Sequence, residues 1–341
     1  MHIESAMLSV AVGAAGIAVG GTGAVLSAHR LGKEPEQGLI DRTKWQNVAL
    51  AGGFVFVAQM WNFGIPMTGS SGHLVGGLLL ACLLGPGAAY LMMGAILLTQ
   101  ALLFNDGGIL AVGVNLVNMG VIPCMLMYPL VYKKLAPAGS SAKRIWLVAA
   151  LSGAGGLVVG AGMACVEAAL SGSPLPFGAF LARMLPIHLA IGLVEGAITG
   201  TVLVAVTKFS ERRTRLAQDK AGKKTMVFGG LALLLLTVAA YFFGSGNPDG
   251  LEWSILTVGG EASVQQVSSL HIFIERVEQF FAVLPDYQLA GQEGALSGHL
   301  WSALAGVALV GTLTAAVFAL RKVRQRVRIR VAQAEENNQL R

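Results

Sequence analysis

Apolar stretches near twenty residues long recur from one end of this chain to the other, and nearly all of its positive charge lies in four clusters between them. Coiled as a helix, a stretch of that length crosses the roughly 30 Å hydrocarbon layer of a bilayer. The pattern predicts an all-α polytopic membrane protein. Composition agrees: 54% of residues are hydrophobic and 12% are charged, about half the charged fraction of a soluble domain. The clusters run from Arg30 to Lys44, Lys133 to Arg144, Lys208 to Lys224 and Arg321 to Arg341, and hold 22 of the 24 Lys and Arg. Lys and Arg mark cytoplasmic loops, so the net charge of +6 reads as topology rather than as affinity for nucleic acid.

Four loops on one side fix the topology by parity. One span, about residues 6–28, precedes the first cluster, which predicts an N-terminus outside. An even number of spans must separate the first two clusters, yet the apolar stretches there are 45–65, 73–104 and 109–132. The middle one is therefore expected to be two short spans folded at Gly85-Pro86-Gly87, residues that break helices. Spans at 145–169, 186–207, 225–243 and 299–320 follow. The expected total is about nine, seven before the Lys208–Lys224 loop and two after it, with a cytoplasmic C-terminus.

Parity puts His2 and His73 at the same outer end. The start Met1-His2 lacks a basic n-region, and its apolar run is long for a signal peptide, so Met1 is expected to stay. A free α-amine, the amide nitrogen of residue 2 and Nδ1 of a histidine at residue 2 can close two fused chelate rings in one plane. A second imidazole, His73 in Gly69-Ser70-Ser71-Gly72-His73, can fill the fourth position. Four in-plane nitrogens suit Ni(II) or Cu(II) better than tetrahedral Zn(II).

Other features have plainer readings. Cys82, Cys124 and Cys165 lie inside apolar spans at no metal or redox spacing and read as buried small hydrophobes. Gly16, Gly20, Ala24 and Ala28 form a small-residue stripe for close helix packing. Met92, Met93, Met119, Met125 and Met127 read as gap-fillers, with a thioether path for a soft ion as the alternative. In the segment 244–298, Val264, Val267, Leu270, Ile274, Val277, Phe281 and Leu284 recur at helical spacing, with Glu275, Arg276 and Glu278 on another face. That predicts an amphipathic helix, on the membrane surface or over the metal mouth.

Several strings resemble the metal-binding S component of nickel/cobalt energy-coupling factor (ECF) transporters, the NikM/CbiM type. They are Met1-His2-Ile3, Thr68–Gly77, Leu84-Gly85-Pro86, Gln100–Gly108, Asn115–Met119 and His188–Glu195. The string Asn247-Pro248-Asp249-Gly250-Leu251-Glu252-Trp253 is similar to the Pro-Asp-Gly-Leu-Glu signature of the companion NikN/CbiN subunit. The chain thus resembles a fusion. The expected parts are a metal-binding membrane domain at 1–210, a cytoplasmic linker at 211–224, and a second domain at 225–341 with two spans and the outer loop 244–298. The resemblance implies that the metal is held by the Met1 amine, the His2 amide nitrogen and ring, and the His73 ring. It further implies a transmembrane coupling subunit and two ATPase subunits as partners in a prokaryotic cell membrane. The string around His73 favours nickel over cobalt as transported substrate, with a cobalt importer as the alternative. No cofactor is expected.

Groups that could orient the ligands are Asn105, Asp106, Asn115 and Asn118; bonds between helices are the alternative. His188 and Glu195, seven residues apart on one helix face, read as pathway groups, a conformational lock or a structural pair. Gly222-Lys223-Lys224-Thr225 is not a phosphate-binding loop, so the chain is expected to be no enzyme, with ATP hydrolysed on other chains. A reading of another class takes Gly69-Ser70-Ser71-Gly72 as an intramembrane serine protease motif, with Ser71 as nucleophile and His188 or His299 as base. A metal sensor or channel without ATPase partners is a third.

Overall fold

The computed structural model describes residues 2–31, 38–40, 45–216, 221–259, 268–289 and 296–339, with side chains placed outside 209–228 and 320–339. The chain is an all-α polytopic membrane protein. Its helices are α1 (Val10–Arg30), α2 (Trp45–Gln59), α3 (Gly77–Leu84), α4 (Pro86–Phe104), α5 (Val112–Leu135), α6 (Ala142–Leu170), α7 (Phe177–Leu216), α8 (Ala221–Phe243), α9 (Gly250–Val258), α10 (Ser269–Phe281) and α11 (Leu296–Gln339). Among the described residues six helices are long and apolar enough to cross a membrane: α1, α4, α5, α6, and the Phe177–Lys208 and Leu296–Ala319 parts of α7 and α11. The apolar stretches 45–65, 73–84 and 225–243 supply shorter helices, α2, α3 and the apolar part of α8, Gly229–Phe243.

The break predicted at Gly85-Pro86-Gly87 is present. Gly85 has φ 81°, where a Cβ would clash, and Pro86 opens α4. Every residue of α3 is buried. At eight residues it rises only about 12 Å, and the buried, non-helical residues 70–76 lead into it. Backbone polar groups at such a tip need partners in lipid. The amides of Leu39 and Ile40 donate to the carbonyls of Cys82 and Leu83, each at 3.1 Å.

Helix α2 ends at Gln59, short of the expected 65, because Gly64, Pro66 and Gly69 favour a hairpin. Phe63–Ile65 (β1) pairs antiparallel with Ser70–Gly72 (β2), Gly64 opposite Ser71. The rest of the architecture is helix on helix. Small residues set the closest crossings: Gly16 and Gly20 of α1 lie on Gly113 of α5, where an added Cβ on Gly113 would stand 2.1 Å from Ile17 N. Gly153 of α6 meets Gly192 and Gly196 of α7 in the same way. The predicted stripe therefore begins at Gly13, which faces Leu110, and stops short of Ala28, which is exposed.

The amphipathic helix appears as α10; Val264 and Val267 lie outside the described residues. Its predicted orientation is reversed in part. Glu278 is buried, while Leu270 is 41% and Phe281 50% exposed. The reason is polar: Glu278 accepts hydrogen bonds from Ser5 Oγ and from the amide of Ile109, which outweighs the burial of one more phenyl ring.

Candidate metal centre

The N-terminal segment, with a 3-10 turn at Ser5–Met7, is held by side chains and backbone from distant parts of the chain. The side chain of Asn115 grips the backbone of Ile3 at both ends. Its Oδ1 accepts from Ile3 N at 2.8 Å, and its Nδ2 donates to Ile3 O at 2.9 Å. Ser5 N donates to Gly107 O at 2.7 Å, Ser5 Oγ accepts from Leu110 N, and the ring of His271 meets Leu8 O at 2.8 Å. The Ile3 and Leu8 side chains are fully buried. Gly107 and Gly108 both have positive φ, and a Cβ on Gly108 would stand 2.3 Å from Ser5 Oγ, so the loop closes on the segment only because it lacks side chains there.

This clamp brings the His2 ring next to the His73 ring, at 5.3 Å between centroids and 17° between planes. Imidazole nitrogens bind divalent first-row ions at about 2 Å, so two rings on one ion have centroids roughly 4–6 Å apart. His2 Nε2 lies 3.2 Å from Gln100 Oε1; in the tautomer that carries the proton on Nε2, Nδ1 keeps its lone pair for an ion. His73 Nδ1 lies 3.3 Å from Leu74 O; in the tautomer that donates this bond, Nε2 carries the ring's lone pair. In those tautomers the lone pairs sit on His73 Nε2 and on His2 Nδ1, the nitrogen of the chelate argument. Met1 lies outside the described residues.

The loop carrying His73 is fixed from two sides. Glu195, 1% exposed, accepts from Val75 N at 2.9 Å and from Gly76 N at 3.0 Å, one amide on each carboxylate oxygen. On the other side Ser71 Oγ donates to Asn247 O at 2.7 Å, and Ser71 N donates to Pro248 O at 2.8 Å. Asp249 then caps α9 by accepting from Glu252 N at 2.8 Å. Gly250 lets α9 reach α7, since a Cβ there would lie 2.9 Å from Ile191 and 3.0 Å from His188. The Pro-Asp-Gly-Leu-Glu string thus docks the second half of the chain beside His73.

Of the groups expected to orient the ligands, two lie against the N-terminal segment. Asn115 holds Ile3, and Asp106 Oδ1 lies 3.5 Å from His2 Nδ1. Asn105 does not: it is exposed and ends α4 with φ 55°, a left-handed turn that Asn tolerates. Asn118 does not either; it donates to Glu167 Oε2 at 2.7 Å, between α5 and α6. From Val117 to Tyr132 α5 has the wider i→i+5 winding, around Pro123 and Pro129. Proline supplies no N–H to an α ladder, and the wider turn rotates Asn118 away from Asn115. His188 Nδ1 is bonded to Met184 O at 2.8 Å, and its buried Nε2 faces Gly250 with no hydrogen-bond partner. Gln100, Glu278 and Tyr287 were not anticipated. Gln100 stood within a recognised string, but its amide carries no signal by itself.

Electrostatics favour a cation. Burial lowers the His2 ring below its ordinary 6.5, against the pull of Asp106. Partial burial and the carboxylates of Asp106, Asp249, Glu252 and Asp286 raise Glu4, the mark of crowded negative charge. Among the described residues no three His, Cys, Asp or Glu side chains could together hold an ion, so an ion between His2 and His73 would need donors of another kind to complete its coordination shell. Ser71 is not a nucleophile. Its hydroxyl is fully buried and spent on two carbonyls, His188 is turned to Met184, and His299 stacks edge-on against Tyr241.

A multi-pass helical bundle with two paired imidazoles in an acidic surround fits a membrane protein that handles a transition-metal ion. Residues 2–213 match the family described as "Cobalt uptake substrate-specific transmembrane region" (CbiM), and residues 223–323 match the PDGLE domain. The chain belongs to that family, as a NikM/CbiM-type region fused to a NikN-type one. The fused nickel transport protein NikMN of Rhodobacter capsulatus is 29% identical over 289 residues, covering 77% of this chain and 83% of the relative. The cobalt transport protein CbiM of Clostridioides difficile is 30% identical over 185 residues, 52% of this chain and 71% of its own length. A crystal structure of a transition metal transporter superposes with a TM-score of 0.52 at 29% identity, over 67% of this chain and 99% of that one. The chain is a metal transport protein rather than an enzyme, so the protease reading of Ser71 falls on both grounds.

Proposed function

We propose that this chain captures Ni(II) at the outer face of the membrane, as the substrate-binding component of an ATP-driven ECF-type importer. Residues 1–210 form the metal-binding domain, 211–224 a cytoplasmic linker and 225–341 the second, NikN-like domain. The ligands are the Met1 amine, the His2 amide nitrogen, His2 Nδ1 and His73 Nε2. The observation that carries the reading is the pairing of the His2 and His73 rings with their opposite nitrogens already committed to Gln100 and Leu74. Asn115 and Asp106 position His2, and Glu195 positions His73. Energy comes from a transmembrane coupling subunit and two ATPases on other chains. Nickel is preferred over cobalt because planar nitrogen donation suits it and because a fused relative bears a nickel name.

The test uses purified full-length protein loaded with Ni(II). A yellow, diamagnetic species is expected, absent in His2→Ala and in a form with one residue added before Met1. Retention of that species by the extended form would contradict the reading. Competition by Co(II) at equal affinity would remove the nickel preference alone.

A further inference from the structure

The second half of the chain places one aromatic side chain where it bears on the first half's histidine pair. Tyr287 stands at the end of a tight turn, Pro285–Tyr287, whose Asp286 and Tyr287 have φ of 52° and 60°. Two successive left-handed residues with side chains cost free energy, and such backbone persists where the surroundings enforce it. Here they do. Leu284 N donates to Leu103 O at 3.1 Å, and the Tyr287 ring stacks on Phe104 at 4.6 Å and 18°, with Phe56 beyond at 6.5 Å. The result of this placement is a hydrogen bond from the Tyr287 hydroxyl to Asp106 Oδ2. The other oxygen, Oδ1, points at His2 Nδ1.

We propose that Tyr287 is a positioning residue of the metal site, holding Asp106 so that its second oxygen stays beside the His2 nitrogen that takes the ion. The proposal rests on the assignment of His2 as a ligand. An unheld Asp106 side chain on a loop end has several rotamers, of which one serves His2. Tyr287 selects it by fixing one oxygen while its own ring is held by Phe104. When a divalent ion binds at Nδ1, the carboxylate stands next to the ion's charge and strengthens its capture. Burial, and then the adjacent Asp106 charge, push the Tyr287 hydroxyl well above its ordinary pKa, so it remains a donor across the working range. The metal site is in this sense completed by the second half; the hydroxyl also lies beside Gln100, the partner of His2 Nε2, and the double variant separates that route from the one through Asp106.

Groups that orient metal ligands typically change affinity by roughly 10–100-fold when removed. Tyr287→Phe keeps the stack on Phe104 and loses only the hydroxyl. Ni(II) titration of the full-length protein should show affinity about 10-fold weaker, with the nickel absorption spectrum and helical circular dichroism unchanged. Asp106→Asn should weaken binding too, and the double variant should be no weaker than the worse single, because both losses run through one carboxylate. Wild-type affinity in Tyr287→Phe, a changed nickel spectrum, or losses that multiply in the double variant would each overturn the proposal. His2→Ala, run alongside, separates the causes. If it binds nickel normally, the ligand assignment itself fails; if it does not, a neutral Tyr287→Phe refutes Tyr287 alone.

Discussion

A single amide side chain, Asn115, carries more of the site than either of its chemical groups suggests. Paired to both backbone groups of Ile3, it sets the direction in which His2 emerges. Asn115→Asp keeps the acceptor and replaces the donor by a charge; Asn115→Ala removes both. The expected order of nickel affinity is wild type, then Asp, then Ala, with Ala about 10–100-fold weaker, measured by titration. Equal affinities would mean that Ile3 is held by its buried side chain instead. Glu195 acts likewise on the other ligand: Glu195→Gln keeps one acceptor oxygen for Val75 and Gly76 and should retain more binding than Glu195→Ala. Protons give a further check. Capture must displace one proton from the chain amine, ordinarily about 7.7–8.0, and one from the His2 amide, while the His2 ring is neutral already because burial lowers it from 6.5. Nickel affinity therefore rises with pH, with a log–log slope near one above pH 8 and about two near pH 7. A slope of about three near pH 7 would show that a ring enters protonated.

At the scale of elements, the helices were legible because their signals are local. Apolar length gave the spans, and Gly85-Pro86-Gly87 gave the break between α3 and α4. The parity of basic loops was enough to bring His2 and His73 to one end before any contact was known. What resisted reading was contact between distant parts. Nothing local marks Tyr287 as the partner of Asp106, or Glu278 as the partner of Ser5, since each pair is separated by most of the chain. Asn118 took the alternative, a bond between helices, to Glu167; it lies on the widely wound stretch with Pro123 and Pro129, which a fixed 3.6-residue period does not include. Close packing yields its own prediction. Gly250→Ala forces a methyl to within about 3 Å of Ile191 and His188, and overpacking of this kind costs about 1–3 kcal/mol. The thermal midpoint should fall, and α9 should protect the Ser71 loop less in hydrogen exchange. An unchanged midpoint would mean α9 is not seated on α7.

For the whole molecule, the two matched regions meet at the histidine pair rather than standing apart. Pro248 and Asn247 bind Ser71, Glu278 binds Ser5 and Ile109, and Tyr287 binds Asp106. Co-expression of the first half alone should therefore yield a chain that binds nickel more weakly than the fusion, and supplying the second half as a separate chain should restore it. Equal binding without the second half would make these contacts structural only. The central claim is that the chain's own start, beside His73, grips the ion. It is tested most directly by the visible absorption of nickel-loaded protein carrying one extra residue before Met1. The account predicts that the planar Ni(II) band disappears while the protein stays folded; a band of undiminished intensity would contradict it.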